Sequence, residues 1–283
     1  MNANLLPQTP AIKDWLLNAS QQLSDANISS PNLDAEIILA NSLQQSRTYL
    51  HAHPEQIICS TNYKIANKYL RLRLNHTPIA YIFGNKEFYG REFLVTSDTL
   101  IPRPESEDII NVLKKFLLSP TYYLLPTKLV DIGTGCGCLG ITAKLEFPSL
   151  DITLLDISAD ALKVASKNAV KLSADVSIIC SNLLQKYHSN ADIIIANLPY
   201  VDKNWVRSPE TDFEPKLALF ADDQGMSVIK KLIIQSKVIL KSDGCIIIEA
   251  DPCQHDSLEQ FAKQHSFKID SKLGYTMAFK RQC

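Results

Sequence analysis

From Lys128 onward, short apolar runs alternate with helical patterns, and no other feature of the chain constrains its fold as tightly. The runs are Leu129–Ile132, Ile152–Leu155, Val176–Cys180, Ile193–Ala196 and Cys245–Ile248. Each has strand length and is rich in β-branched or large aliphatic side chains. Helical patterns lie between them, such as Ala161, Leu162, Ala165, Ala169 and Leu172 after a capping Ser158. Apolar strands separated by helices predict a parallel sheet covered on both faces, an α/β fold. Two further strands are expected near Phe267–Ile269 and Thr276–Phe279.

The first 75 or so residues read differently. Ile12, Trp15, Leu16, Ala19 and Leu23 share one helical face. Ser30-Pro31 reads as an N-cap followed by proline at the first helical position, and Ala35, Ile38, Leu39, Ser42 and Leu43 continue as an inner stripe. A third helix over about Asn62 to Leu74 carries Lys64, Lys68, Arg71 and Arg73 as a basic face, either solvated or turned to a phosphate-bearing partner. Between Tyr81 and Thr96 aromatic and β-branched residues, broken by Gly84-Asn85 and Gly90, predict a hairpin joining two domains. A helix with Ile109, Val112, Leu113, Phe116 and Leu117 on one face follows Pro102 and Pro104. The resulting division is a helical domain over 1–76, a hairpin linker over 77–101 and a catalytic domain over 102–283, in keeping with two domains for 283 residues.

Composition excludes several classes. Hydrophobic residues are 46% and charged residues 21%, enough apolar side chain for a packed core. The formal net charge is −1, which argues against a surface built to grip a nucleic-acid backbone. No run approaches the roughly 18 apolar residues of a membrane span. Residues 1–10 lack the basic-then-apolar pattern of a secretory signal. Seven cysteines with no C-x-x-C pair, and six histidines with no H-x-x-x-H spacing, give no zinc pattern. Reduced thiols in the cytoplasm and no metal are the expectation.

The segment Val130 to Gly140, VDIGTGCGCLG, follows a strand and opens a helix. Glycines allow a sharp turn and a close backbone approach, and the N–H groups at the helix start favour negative ligand groups. Asp156 lies nineteen residues after Gly137, at the end of the next strand, where a carboxylate can accept both hydroxyls of a ribose. Gly135, Gly137 and Gly140 also satisfy the dinucleotide fingerprint. The loop alone therefore leaves a dinucleotide, another nucleoside ligand or plain strand–helix packing open. The pattern D-x-G-x-G-x-G also resembles motif I of S-adenosylmethionine-dependent methyltransferases. Cys136 and Cys138 within the loop read as small packing residues.

Asn197-Leu198-Pro199-Tyr200 follows the fourth strand, at its carboxyl end, where open α/β sheets bind ligands. Asn197 offers a carbonyl acceptor on a short arm. Pro199 fixes φ and removes a donor, leaving the Leu198 carbonyl to point inward. Tyr200 offers a flat face. Two acceptors and an aromatic wall suit a planar –NH2 group, held with its lone pair aimed at a methyl sulfonium. A simple turn after a strand remains the alternative.

Taken together these segments resemble the peptide chain release factor glutamine methyltransferases of the HemK or PrmC type, over roughly residues 30 to 255. The likeness includes Asp34-Ala35-Glu36, PIAYIFGNKEFYGREFLV from Pro78 to Val95, LIPRPESE from Leu100 to Glu107, the glycine loop, Asp156, the Asn-Leu-Pro-Tyr motif and FEPKLAL from Phe213 to Leu219. It implies a Rossmann-like seven-stranded methyltransferase domain, a small N-terminal helical domain that helps hold the substrate, and a hairpin linker. The implied reaction moves a methyl group from S-adenosylmethionine to the amide nitrogen of the glutamine in a release factor's Gly-Gly-Gln loop. By that likeness Gly133, Thr134, Gly135, Cys136 and Gly137 lie along the methionine part of the cofactor, with Asp156 on its ribose and Leu183 near its adenine. Asn197 touches cofactor and substrate, and Leu198, Pro199 and Tyr200 complete the glutamine pocket, so Asn197, Pro199 and Tyr200 are the catalytic set. Leu100 to Glu105 close over the site. A monomer whose partner is a release factor, with no direct need for nucleic acid or membrane, is implied.

Leu198 stands where the family usually has proline, Asn182 where it often has an acidic residue, and Ser271 to Arg281 match its pattern poorly. Four other readings compete. Enzymes that methylate glutamine in a ribosomal protein share most motifs, but Pro102-Arg103-Pro104-Glu105 favours the release-factor group. Adenine methyltransferases share Asn-Leu-Pro-Tyr, yet usually carry the glycine loop near the chain start. A non-catalytic module or a dehydrogenase leaves Asn197 and Pro199 unexplained.

Overall fold

A computed structural model describes residues 9–118 and 127–282. Cys283 and the first eight residues, part of the segment read for a secretory signal, lie outside the described residues. The chain divides between Phe83 and Gly84 into two compact units.

The first unit is helical: α1 (Ile12–Asp25), α2 (Pro31–Leu43), α3 (Arg47–Ala52), α4 (Ser60–Leu74) and α5 (Ile79–Phe83). Ile12, Trp15, Ala19 and Leu23 of α1 meet Ala35, Ile38 and Leu39 of α2 and Ala66 and Leu70 of α4 in one core. The basic face of α4 differs from expectation. Lys64, Lys68 and Arg71 are exposed, but Arg73 is buried and its Nε donates to Asp34 Oδ2 at 2.6 Å. Ser30 sits at the α2 N-cap, yet its hydroxyl donates to Asp34 Oδ1 at 2.9 Å instead of capping the helix. Tyr81 to Phe83, expected in the hairpin, are helical instead. Pro78 opens that turn by accepting from the N–H groups of Tyr81 and Ile82, and Phe83 packs edge-on against Tyr69. Burial of Ala80 and packing of Ile79 and Phe83 on the helical core outweigh the strand propensity of Tyr, Ile and Phe.

The second unit begins with the hairpin β1 (Asn85–Phe88) and β2 (Arg91–Leu94). Its two turn residues, Tyr89 and Gly90, both have positive φ, 51° and 72°. That pair matches the right-handed twist of the strands. There follow α6 (Glu107–Leu117), β3 (Lys128–Ile132), α7 (Cys138–Glu146), β4 (Asp151–Asp156), α8 (Ala159–Lys171), β5 (Ser177–Cys180), β6 (Ala191–Ala196), α9 (Lys216–Leu219), α10 (Ser227–Ile239), β7 (Leu240–Glu249), α11 (His255–Gln264), β8 (Phe267–Leu273) and β9 (Thr276–Arg281). Seven strands form one sheet in the order β5-β4-β3-β6-β7-β9-β8.

Residues on each central strand alternate between two cores. Val130, Ile132, Ile194, Ala196, Ile246 and Ile248 pack on one face with α10 and α11 residues such as Ile229 and Leu258. Leu129, Ile193, Ile195, Cys245 and Ile247 pack on the other with α6, α7 and α8 residues such as Ile109, Ile141 and Ala165. The period of two along a doubly covered strand has this consequence.

The parallel sheet read from the sequence holds from β5 to β7 and ends there, because β9 is antiparallel to both β7 and β8. The cause is local. Only Gly274, with φ 55°, and Tyr275 separate the paired residues Leu273 and Thr276. A connection of two residues can only reverse the chain. Chain order turns at β3, which has β4 on one side and β6 on the other, a topological switch point at which such sheets open a crevice. Ile132 pairs with Leu155 and Ala196, and Ala196 with Ile248. Gly133, Asp156, Asn197 and Glu249 therefore emerge side by side at one edge of the sheet.

Candidate active site

A crevice of about 350 Å³ opens at that edge. Its walls include Gly133, Thr134, Gly135, Cys136, Asp156, Leu183, Asn197, Leu198 and Pro199, together with Leu100, Pro102, Arg103 and Ser106. Two sequence-predicted residues stand behind the wall. Gly137 is the N-cap of α7, with φ 87° and its missing Cβ facing Ile141 and Ala165. Tyr200 is half-buried and turns its hydroxyl to Glu249 Oε1 at 3.0 Å.

The glycine loop is stitched by two carboxylates. Asp131 on β3 accepts from Thr134 Oγ1 at 2.5 Å and from the Gly140 N–H at 2.9 Å, both on Oδ2. Its Oδ1 is buried without a partner. Burial pushes its carboxyl up to about 7; the two hydrogen bonds pull the other way and the Asp156 charge adds to the rise. Asp156 accepts from the Gly135 N–H at 2.9 Å and, on its other oxygen, from the Ser158 N–H at 2.8 Å. Burial raises its pKa too, against the pull of those N–H groups. Each Asp156 oxygen has lone-pair capacity left for a further donor. Asn168 on α8 donates to the Cys136 carbonyl at 2.8 Å and fixes the loop from behind. Cys138, beside it, has a thiol raised by its hydrogen bond with Cys136 and by burial, which leaves it protonated and poorly nucleophilic.

Close packing explains Gly133. A Cβ there would lie 2.8 Å from Leu198 Cδ2, so the Asn-Leu-Pro-Tyr segment rests directly on the loop. That segment is itself braced. Gln254 Nε2 donates to the Tyr200 carbonyl at 2.8 Å, and Gly225, with φ 85°, leaves room where a Cβ would come 1.9 Å from that same oxygen. The FEPKLAL and LIPRPESE stretches are joined. Glu214, almost fully buried, accepts from the Ile101 N–H at 3.1 Å and pairs with the Arg103 guanidinium.

Two residues important to the geometry carried no role in the sequence reading. Ser106 Oγ donates to Glu249 Oε2 at 2.5 Å and accepts from Asn197 Nδ2 at 2.8 Å. Glu249 is 1% exposed; burial raises its pKa, opposed by the hydrogen bonds from Ser106 and Tyr200. An acidic residue one step beyond an apolar run, at the carboxyl end of a parallel strand, was the available signal.

The crevice fits S-adenosylmethionine. Gly133 and Gly135, with φ 69° and 56°, bare their backbone to it; Asp156 supplies a hydroxyl acceptor; and Leu183 and Leu198 give apolar walls. Asp156 faces it without a paired lysine or arginine among the described ion pairs, Glu249 is buried behind Ser106, and Arg103 is held by Glu214. That balance suits a cationic ligand. Among the described residues no cluster could hold a metal ion.

Comparison with known proteins agrees with this geometry. Residues 14–84 match the PrmC N-terminal domain and residues 106–209 the methyltransferase small domain. The chain is 37% identical over 251 residues to a release factor glutamine methyltransferase of Koribacter versatilis, covering 85% of this chain and 88% of that one. It is 34% identical to the release factor glutamine methyltransferase of Buchnera aphidicola, over 90% of this chain and 92% of that one. A bifunctional methyltransferase of Rickettsia bellii is 33% identical over 92% of this chain, which spans only 52% of that longer protein. A methyltransferase structure from Pyrococcus furiosus shares the fold, with TM-score 0.54 at 17% identity over 77% of this chain and all of that one. With near full-length relatives above 30% identity and both halves matched, the chain belongs to the release factor glutamine methyltransferase family.

Proposed function

We propose that the protein methylates the side-chain amide nitrogen of the glutamine in the Gly-Gly-Gln loop of a peptide chain release factor, with S-adenosylmethionine as methyl donor. The observation that carries this reading is the contact of Leu198 with Gly133, which sets the Asn197 carboxamide beside the cofactor cradle. In this reading residues 133–137 run along the methionine part, Asp156 holds the ribose and Leu183 covers the adenine. Residues 1–76 contact the factor, 77–101 link, and 102–283 catalyse. The enzyme works as a monomer in the cytoplasm, where translation ends.

When bound, the cofactor supplies an electrophilic methyl group on a positive sulfur. The protein's task is then to hold a weak nucleophile in line. An amide nitrogen is unreactive because its lone pair is delocalised into the carbonyl. Asn197 Oδ1 and the Leu198 carbonyl each accept one N–H, which polarises the –NH2 group and directs its lone pair. Pro199 keeps the Leu198 carbonyl without a competing donor on the next residue. Leu100 to Glu105 exclude water. The departing proton becomes acidic only as the new N–C bond forms, so no strong base is required.

Incubation with labelled S-adenosylmethionine and purified release factor tests the reading. Label is expected in the Gly-Gly-Gln tryptic peptide. Label in RNA and none in that peptide would transfer the assignment to an adenine methyltransferase. Asn197→Ala is expected to lower methyl transfer by about 100-fold or more, as loss of one oriented hydrogen-bond group does, with cofactor affinity falling far less. Full activity in that variant rejects the amide clamp.

A further inference from the structure

The side chain of an asparagine is nearly symmetric in shape but not in chemistry: one end accepts, the other donates. The clamp requires the accepting end to face the crevice. Nothing in Asn197 itself decides this. Its surroundings do.

Glu249, at the carboxyl end of β7, has hydroxyls as partners. The Tyr200 hydroxyl lies 3.0 Å from Oε1 and the Ser106 hydroxyl 2.5 Å from Oε2. Both hydroxyls donate to it, Ser106 to Oε2 and Tyr200 to Oε1, so both hydroxyl protons point at the carboxyl. Ser106 has one proton. Once that is given to Glu249, its oxygen can only accept from its other neighbour, Asn197, at 2.8 Å. Asn197 must therefore turn Nδ2 toward Ser106 and its carbonyl oxygen the other way. The reversed amide would set two lone pairs against each other at the Ser106 contact, in a buried place where water cannot repair the mismatch.

We infer that Ser106 and Glu249 are positioning residues for methyl transfer: the buried carboxylate sets the direction of a hydrogen-bond relay through the Ser106 hydroxyl, and the relay makes Asn197 an acceptor toward the substrate amide. The inference rests on the functional reading above and deepens it. It explains why a hydroxyl residue ends the Pro104–Ser106 turn. Only a group that both donates and accepts can pass the direction on. The turn is held in place by Glu214, which accepts from the Ile101 N–H and pairs with Arg103, so Ser106 is delivered by a braced segment.

Ser106→Ala, Ser106→Thr and Glu249→Gln test the relay in the full-length protein. Two readouts are taken, release-factor methylation with cofactor binding, and hydrogen exchange of the Asn197 side-chain amide by nitrogen-15 NMR, assigned by its loss in Asn197→Asp. Ser106→Ala and Glu249→Gln should lower kcat by about 10- to 100-fold, as loss of an orienting partner does, with KM and cofactor Kd little changed. Both should speed exchange of the Asn197 amide. Ser106→Thr, which keeps the hydroxyl, should retain slow exchange and most of kcat. An unchanged kcat or unchanged amide exchange in Ser106→Ala overturns the relay. So does a Thr variant as impaired as the Ala variant, since that marks a packing role. If the wild type methylates no release factor while the amide responds as expected, the functional reading fails and the relay stands.

Discussion

Asp131 makes two hydrogen bonds through one oxygen and none through the other, wholly inside the protein. Burial raises its carboxyl from 3.8 to about 7, so the folded chain holds a proton that the unfolded chain releases near pH 4. The sign follows. Its favourable contribution is full below about pH 4 and is lost as pH rises toward 7 and past it. The size is on the order of 4 kcal/mol at most, from the shift at 1.36 kcal/mol per unit. Asp156 and Glu249 are raised by burial in the same direction. The substitution Asp131→Asn keeps an acceptor for the Thr134 and Gly140 donors and removes the titration. Urea unfolding of this variant should therefore show a flatter dependence of stability on pH between 4 and 8 than the wild type. A slope equal to that of the wild type would mean the carboxyl is not buried as described.

Elements in this fold are joined by a few polar side chains at their crossings. Asn168, fully buried on α8, accepts from the Leu94 N–H at 2.7 Å and donates to the Leu94 and Cys136 carbonyls at 2.9 and 2.8 Å. One side chain thus ties the end of β2 and the glycine loop to one helix. Asn168→Ala leaves three backbone groups without partners and should cost about 2 to 4 kcal/mol, since each buried orphan costs about 1 to 3 and some regain water. Asn168→Asp restores the acceptor for Leu94 N–H but opposes two carbonyls, so it should not recover the loss. Chemical denaturation of both variants decides this; recovery in the Asp variant would show that the Leu94 N–H alone matters.

At the scale of the molecule, each unit carries its own core and its own buried polar anchor. In the helical unit the anchor is Asp34 with Arg73, whose side chains are 6% and 5% exposed. Breaking a buried pair from one side strands a charge. Arg73→Ala should cost about 3 to 5 kcal/mol in that unit. Replacing both partners with Leu and Met should recover much of it. Every residue lining the crevice lies in the second unit. Cofactor Kd in Arg73→Ala should therefore stay within about two-fold of the wild type, since no described residue of the first unit lines the crevice. Circular dichroism melts and calorimetric titration of the same samples check both halves, and a parallel loss of cofactor affinity would contradict this expectation.

Much of this was legible in the residues. The apolar runs gave the strands of the parallel portion, because their burial on both faces leaves no polar alternation to confuse the pattern. The glycine loop, Asp156 and Asn197 could be picked out because turn geometry and strand ends restrict which residues fit there. The misreadings fell where distant contacts decide. Tyr81 to Phe83 are helical because Ile79 and Phe83, at the two ends of that turn, pack on the first core. Arg73 belongs to Asp34, 39 positions away, and leaves the basic face. The two-residue turn at Gly274 reverses β9. By itself the chain determined its layers, its two units and the candidates at one sheet edge, since these follow from local periodicity and turn chemistry. Only the tertiary structure decided which candidates meet, and that Ser106 and Glu249 stand behind Asn197. Direction in a hydrogen-bond chain depends on partners brought together from positions 106, 197 and 249, and no local pattern encodes that.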